Sequence, residues 1–379
     1  MSDPAVRRKR RTGRPPVRRE ALLDLLRRAI VSGRAAPNSR LPSRAELMAR
    51  HRVSSITVQR AFDQLTEDGF VVPQGKRGTW VVEHPPHLYR YGLAFAGRPG
   101  KAAYWRGLDR ALSQVAGDRA ANEPWSFKQY FSATEAREMD LILEDIAAGR
   151  LACLISTYGS SAVVDRVRRQ WPTFPLVEIS ASHKMPSSTV VLDLRSFFQE
   201  ALDYLRARRR QRVAILTGVQ YPDDVLRPVL AKDVRERGIT VQPYWVQQIA
   251  LTDPLTARSV MHLMMRANPS MRPNGVIIAD DNLTEHALAG LADAGVHVPA
   301  DVEIVAEANF PLPPSAGQPI HRVGFPASEI LRACRALLDR QRRGDAARVP
   351  ENITIAAVGV RCGRRLPAEA PPEECVRCL

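Results

Sequence analysis

Apolar spacing becomes regular after residue 19. Leu22, Leu25, Leu26, Ala29 and Ile30 recur at i, i+3, i+4, i+7 and i+8, which predicts a helix that stops near Gly33. Ser43 followed three residues later by Glu46 is a capping box, so a second helix is expected from there to about His51. Ser54 or Ser55 can cap a third helix, on which Val58, Ala61, Phe62 and Leu65 share one face and Gly69 ends the run. Phe70–Val72 and Thr79–Val82 then read as strands of a hairpin with Lys76 and Arg77 near its tip.

Beyond the prolines Pro85 and Pro86 the rhythm changes to short apolar runs alternating with amphipathic helices. Strands are predicted at Tyr91–Ala96, Phe127–Phe131, Leu151–Ser156, Leu176–Ile179, Val190–Leu192, Val213–Leu216, Tyr244–Ile249, Gly275–Ala279 and Glu303–Ala306. Helices are predicted at Trp105–Val115, Glu135–Ala148, Ser196–Ala207, Asp223–Arg237, Ala257–Arg266, Leu283–Ala294 and Ala327–Gln341. Strands of four to six apolar residues with helices between them imply parallel sheets covered on both faces. The fold class is therefore α/β, in two lobes, behind a small helical module with a β-wing.

Charge sharpens this division. The 379 residues carry 55 Lys and Arg against 40 Asp and Glu, a formal +15. Residues 1–83 hold 18 basic and 8 acidic side chains, so +10 of the excess sits in the N-terminal module and its arm. That is the footprint of a polyanion-binding module. With 45% apolar and 25% charged residues the chain is an ordinary globular one. No apolar run reaches the roughly 18 residues of a membrane helix, and Leu22–Val31 is broken by Asp24, Arg27 and Arg28, so neither a membrane span nor a secretory signal is expected. Five cysteines make no disulfide framework, which fits a reducing cytoplasm.

Helix, helix, helix and basic hairpin is the order of a winged helix-turn-helix. Ser32-Gly33, Leu41-Pro42-Ser43, Val53-Ser54, Thr57-Val58, Ala61, Leu65, Asp68-Gly69 and Gly75 to Thr79 follow the pattern of the gluconate-repressor (GntR) family, which this module resembles. The body resembles the sugar-sensing domain of the lac/galactose-repressor family, which has the periplasmic-binding-protein fold. The resemblance is carried by Arg106-Gly107, Val190–Arg195, Arg212–Gly218, Ala279–Asn282, Ala294–Val302 and Val360-Arg361. The two resemblances imply a hybrid regulator. It would have a basic arm at 1–19, a DNA-binding domain at 20–83, a linker at 84–90, an effector-binding and dimerisation domain at 91–366 and a Pro-rich tail at 367–379.

The third helix is expected in the DNA major groove. Ile56 and Arg60 point away from its buried face and Gln59 lies on the flank, which suits thymine methyls, a guanine edge or phosphate, and adenine respectively. Ile56 also reads as an incidental exposed residue. Ser54, Ser55 and Thr57 bring hydroxyls to a helix N-terminus, a place that favours phosphate. The resembled family carries an acidic residue and then Arg after Pro-Ser; here Arg44 and Ala45 stand there, so the base contact is lost at Ala45 and Arg44 is left to reach phosphate. Lys76 and Arg77 reach the minor groove or phosphate, or form a solvated turn. Arg14, in Gly13-Arg14-Pro15, reads either as an AT-hook core or as part of a counterion-releasing tail.

In the body, the resemblance assigns sugar binding to Asp281, past the C-terminal end of a strand, and effector binding to Arg227. Asp281 also reads as an N-cap and Arg227 as a surface residue. Glu307-Ala308-Asn309 replaces the usual aromatic-Asp-Asp, leaving Asn309 to take part of that role. Tyr104, Trp105, Tyr158 and Tyr221 fall near strand-to-helix loops and can stack on a sugar or pack internally. Pro85-Pro86 stands where a helical hinge would be and cannot continue one, so signalling is expected to move two winged helices on a dimer.

Chemistry of other kinds is poorly supported. Gly97–Lys101 has the wrong spacing for a phosphate loop, and there is neither a nucleophile elbow nor a zinc-protease motif. Lys101, Lys128, Lys184 and Lys232 lie in no cofactor context, against an aminotransferase fusion, and the Cys375/Cys378 pair has no second pair at zinc spacing. The expected partners are operator DNA, a small effector of sugar type and a second copy of the chain, with no cofactor, metal or membrane. Repression is expected because both resembled families mostly repress; activation, or a degenerate cleft serving dimerisation, is the alternative.

Overall fold

The computed structural model describes residues 17–97, 103–117, 125–157, 159–181, 185, 187–218, 223–310, 319–344 and 350–360. Arg14, Tyr158, Tyr221, Cys375 and Cys378 lie outside the described residues, as do the side chains of Tyr104 and Trp105.

The N-terminal module contains helices α1 (Val17–Val31), α2 (Arg44–His51) and α3 (Ser55–Glu67) and strands β1 (Val71–Pro73) and β2 (Thr79–Val81). The strands pair antiparallel around a 3-10 turn at Gly75–Arg77. Its core joins Leu22, Leu26 and Ile30 of α1 to Leu47 of α2, to Val58, Ala61, Phe62 and Leu65 of α3, and to Phe70, Val71 and Val81. Leu25, expected on the same face of α1, is instead exposed. A four-residue step turns nearly 40° past a full helical turn, and the buried row follows Leu22, Leu26 and Ile30.

The stretch expected as a linker is folded. Pro85 and Pro86 are buried, and Pro86 opens the short helix α4 (Pro86–Tyr89), where its missing N–H costs nothing. The chain continues as β3 (Arg90–Ala94), α5 (Ala103–Gly117), β4 (Ser126–Tyr130), α6 (Ala136–Ala147), β5 (Cys153–Ser156), α7 (Ser161–Gln170), β6 (Leu176–Ser180) and β7 (Thr189–Asp193). Then follow α8 (Leu194–Ala207), β8 (Val213–Gly218), α9 (Asp223–Pro228), α10 (Val234–Glu236), β9 (Val246–Ile249), α11 (Thr256–Met265), β10 (Gly275–Ile278) and α12 (Thr284–Asp293). The last elements are β11 (Glu303–Phe310), β12 (His321–Pro326), α13 (Ala327–Arg343), β13 (Asn352–Ala356) and β14 (Val358–Val360).

Two six-stranded sheets result, ordered β13-β7-β6-β5-β3-β4 in the first lobe and β14-β12-β11-β10-β8-β9 in the second. The chain passes to the second lobe after β7, returns after β12 and passes over again between β13 and β14. Within the second lobe the pairings are parallel, as expected, with one antiparallel pair, β12 with β14, added at the edge. The predicted helix Asp223–Arg237 is also interrupted. Pro228 lacks the N–H that would continue the α ladder, and a π turn at Val229–Asp233 separates α9 from α10.

Two compact units divide the described residues. One contains those up to Gly92 with those of 123–128 and 140–153; the other contains the rest, including the whole second lobe.

Candidate nucleic-acid interface and effector cleft

Helices α2 and α3 of the N-terminal module are each started by their own sequence. At α2 the Ser43 N–H donates to Glu46 Oε2 at 2.7 Å and the Glu46 N–H donates to Ser43 Oγ at 3.3 Å, the reciprocal box that the Ser-x-x-Glu spacing predicts. These bonds hold the Glu46 carboxyl below its usual range. At α3 the cap is Ser54, whose Oγ accepts the Thr57 N–H at 3.2 Å and lies 2.9 Å from Thr57 Oγ1. Ser54 and Thr57 therefore spend their hydroxyls on the cap, while Ser55 is exposed beside it.

With the stripe of Val58, Ala61, Phe62 and Leu65 buried, the opposite face of α3 presents Ile56, 65% exposed, and Arg60. Gln59 is held by its own helix: Nε2 donates to Asp63 Oδ1 at 2.6 Å, so pairing with a base requires that bond to be exchanged. Arg44 is exposed on the first turn of α2, and Lys76 and Arg77 are exposed on the wing turn. Trp80 braces that turn by donating from Nε1 to the Arg77 carbonyl at 3.1 Å. Arg40 joins this surface from outside the expected set. It bridges to Trp80, and a Cβ on Gly78 would lie 2.9 Å from its Nε. Only the tertiary pairing of Arg40 with the wing reveals this neighbourhood.

The second cluster joins Asp280 and Asp281, which follow β10, to Glu307 and Asn309 on the C-terminal half of β11, the end of a parallel sheet at which ligands of α/β folds collect. After β10 the chain turns at Asp280, which takes the capping role: its Oδ1 accepts the Asn282 N–H at 3.0 Å and Asn282 Nδ2 at 2.8 Å. This releases Asp281, whose Oδ2 accepts a hydrogen bond from Asn309 Nδ2 at 2.6 Å. The Glu307 carboxylate accepts the Asp281 backbone N–H. Arg322 donates from Nη1 to the Glu307 carbonyl at 3.3 Å.

From the first lobe α5 brings Arg106 and Gly107. A Cβ on Gly107 would lie 3.1 Å from both Asn309 Cβ and Asn309 O, so glycine permits this close approach. Burial pushes the Asp281 carboxyl up to about 6; the Asn309 bond opposes the rise, Asp280 adds to it, and Arg322 and Arg106 oppose it. Glu307 is pushed well above its usual range by burial and by its carboxylate neighbours, and Asp280 is raised by burial. The cluster is thus under-compensated for negative charge. It is suited to a partner that donates several hydrogen bonds.

Asp281 and Asn309 are brought together. Arg227 lies elsewhere in the local network, 82% exposed on α9 with its Nη2 3.9 Å from Asp223. Tyr104 and Trp105 stand on the first turn of α5, just ahead of Arg106. Sequence reasoning missed Arg106, Asp280, Glu307 and Arg322 as members of the cluster. Position was a signal for Asp280 and Glu307, at the ends of predicted strands, and motif membership for Arg106; Arg322 lies on a strand that was not predicted.

Residues 14–81 match the bacterial regulatory proteins of the gntR family, and residues 202–361 match the periplasmic binding protein-like domain. Among solved structures the chain is similar to a LacI-family regulatory protein from Chloroflexus aggregans, at 17% identity and a TM-score of 0.58, over 71% of this chain and 96% of that one. Residues 14–81 thus form a gntR-type reader, and the body has the periplasmic-binding-protein-like fold of the LacI-family structures. The chain is also similar to the LacI-family regulator from Arthrobacter sp. FB24 in complex with lactose, at 18% identity and a TM-score of 0.57, over 72% of this chain and 97% of that one. A Lactobacillus casei LacI-family regulator with bound sucrose gives 17% identity and a TM-score of 0.55, over 72% and 98%. No curated protein matches the sequence. Among the described residues no helix is long and apolar enough to cross a membrane.

Proposed function

We propose that this protein is a sugar-responsive repressor. Paired winged helices of a homodimer read a palindromic operator, and a polyhydroxylated effector in the Asp281 cleft sets operator affinity. The observation that carries the effector reading is the Asp281–Asn309 pair with Arg106 near enough to act on the Asp281 charge: a half-buried carboxylate, an amide and a guanidinium in one cluster. Vicinal hydroxyls both donate and accept, and they match that set better than a carboxylic acid or a bare cation would. Lactose and sucrose in the structurally similar regulators support the same class. The DNA reading rests on the exposed face of α3 and the basic wing. In it Arg60 reads a base edge or phosphate, Ile56 packs on thymine methyls, and Arg44, Lys76 and Arg77 hold phosphates.

Thermal-shift measurements against a panel of mono- and disaccharides test the effector reading. At least one sugar should raise the melting temperature of the wild type in a concentration-dependent way. The Asp281→Ala variant should lose that response, because removing a charged acceptor costs about 1.5–3 kcal/mol, roughly 10- to 100-fold in affinity. A response unaltered in Asp281→Ala contradicts the assignment.

A further inference from the structure

Asp68 follows α3 and precedes Gly69, where the sequence alone asks only for a helix stop. Its side chain is 5% exposed, so its charge needs partners. Arg27 of α1 supplies one, donating from Nη2 to Oδ2 at 2.7 Å. The second comes from the first lobe: Arg150, after α6, donates from Nη1 to Oδ1 at 3.2 Å. Arg150 Nε in turn lies 2.6 Å from Asp145 Oδ1 on α6, and Lys128 Nζ on β4 lies 2.6 Å from Asp145 Oδ2. One chain of alternating charges therefore runs from the reader into the lobe, and all of it lies within one compact unit.

Two further contacts make this more than a pivot. Arg90, at the start of β3, donates from Nη1 to the Asp68 carbonyl at 3.0 Å. Gly69, at φ +85°, leaves room for that guanidinium: a Cβ there would lie 2.8 Å from Arg90 Nη2. Away from the ion pairs, Gly149 at φ +63° seats the end of α1, and a Cβ on it would lie 2.8 Å from Val31 Cγ2. An ion-paired anchor at the end of α3 and a van der Waals seat at the end of α1 hold two different helices of the reader to the same element of the lobe.

We infer that Asp68 is a positioning residue, which through Arg27, Arg90 and Arg150 locks the winged helix to residues 123–128 and 140–153, the parts of the first lobe that share its compact unit. This rests on the proposed reading of paired half-sites. A reader locked at this junction has no hinge there to absorb an error of register between half-sites.

The test uses the full-length protein. A half-site is selected from a randomised duplex pool and built into palindromes whose centre-to-centre spacing varies one base pair at a time. Wild type should show one sharp optimum, with binding at least about tenfold weaker two base pairs away, because each base pair rotates a half-site around the duplex. Arg150→Met lies outside the reader and leaves Arg27–Asp68 and Lys128–Asp145 intact. It should keep single half-site affinity while the spacing penalty falls below about threefold. Asp68→Asn should flatten the profile in the same direction. A wild-type profile retained in both variants, or a uniform loss at every spacing and on the single half-site, overturns the inference. Enrichment of no duplex by wild type overturns the DNA reading and the inference with it.

Discussion

The reader and the acidic cluster offer opposite means of recognition. The reader presents exposed cationic and small polar side chains (Arg44, Ser55, Arg60, Lys76 and Arg77) on a module whose buried residues are almost all apolar. The cleft gathers half-buried carboxylates at Asp280, Asp281 and Glu307, raised in pKa by their surroundings. An exposed charge meets its partner through long-range attraction that salt screens; a desolvated one acts through short, directional bonds that salt barely reaches. The two sites should therefore respond differently to the same change of conditions.

Salt makes the largest contrast. If six or more phosphates are neutralised, operator affinity should fall by about 10³-fold or more between 50 and 200 mM salt. Sugar affinity, followed by calorimetry over that range, should stay nearly constant. Parallel slopes for the two ligands would erase the distinction. Next in size, Arg60→Ala should lower affinity for the selected operator by about 1–3 kcal/mol and relax preference at one base position. Binding to an operator series by fluorescence anisotropy separates this from a phosphate contact, whose loss would weaken all sequences alike.

Protonation gives the smallest of the three effects. Asp281 is raised from an ordinary 3.8 to about 6, so it is an ionised acceptor above that value and loses this form as pH falls through it. Sugar affinity should be flat above about pH 7 and decline by up to about tenfold per unit below 6. Stability of the sugar-free protein should run the other way. Between 3.8 and about 6 the folded state holds a proton that the unfolded state has lost, so this group's contribution falls as pH rises through the window. Asp281→Asn should remove the Asp281 part of both slopes, leaving that of Asp280 and Glu307.

The contrast also explains what could be read from the chain. Ser43–Glu46, Ser54 and the Val58–Leu65 stripe act within one or two helical turns, so spacing alone reveals them. The cleft is non-local: Arg106, Asp281, Asn309 and Arg322 are separated by 13 to 216 residues and meet through sheet order. Asp281 was named through the family resemblance, at a place past the end of a predicted strand. Glu307 was visible only as a departure from a pattern, and Arg106 only as part of a motif. Strand β12 was missed because Gly324 and Pro326 break its apolar run, and β13 because its residues alternate between half-buried and exposed. The register Ala308 to Gly324, with a Cβ at Gly324 only 1.8 Å from the Ala308 carbonyl oxygen, shows why glycine stands in that strand.

The central claim is that the acidic cleft controls the basic reader. The most direct measurement is operator affinity of the full-length protein, titrated with the sugar that gives the largest thermal shift, in wild type and in Asp281→Ala. Saturating sugar should change wild-type operator affinity by about 5- to 150-fold, and the same sugar should leave Asp281→Ala unaffected. Operator affinity that is identical with and without bound sugar in the wild type would contradict the account.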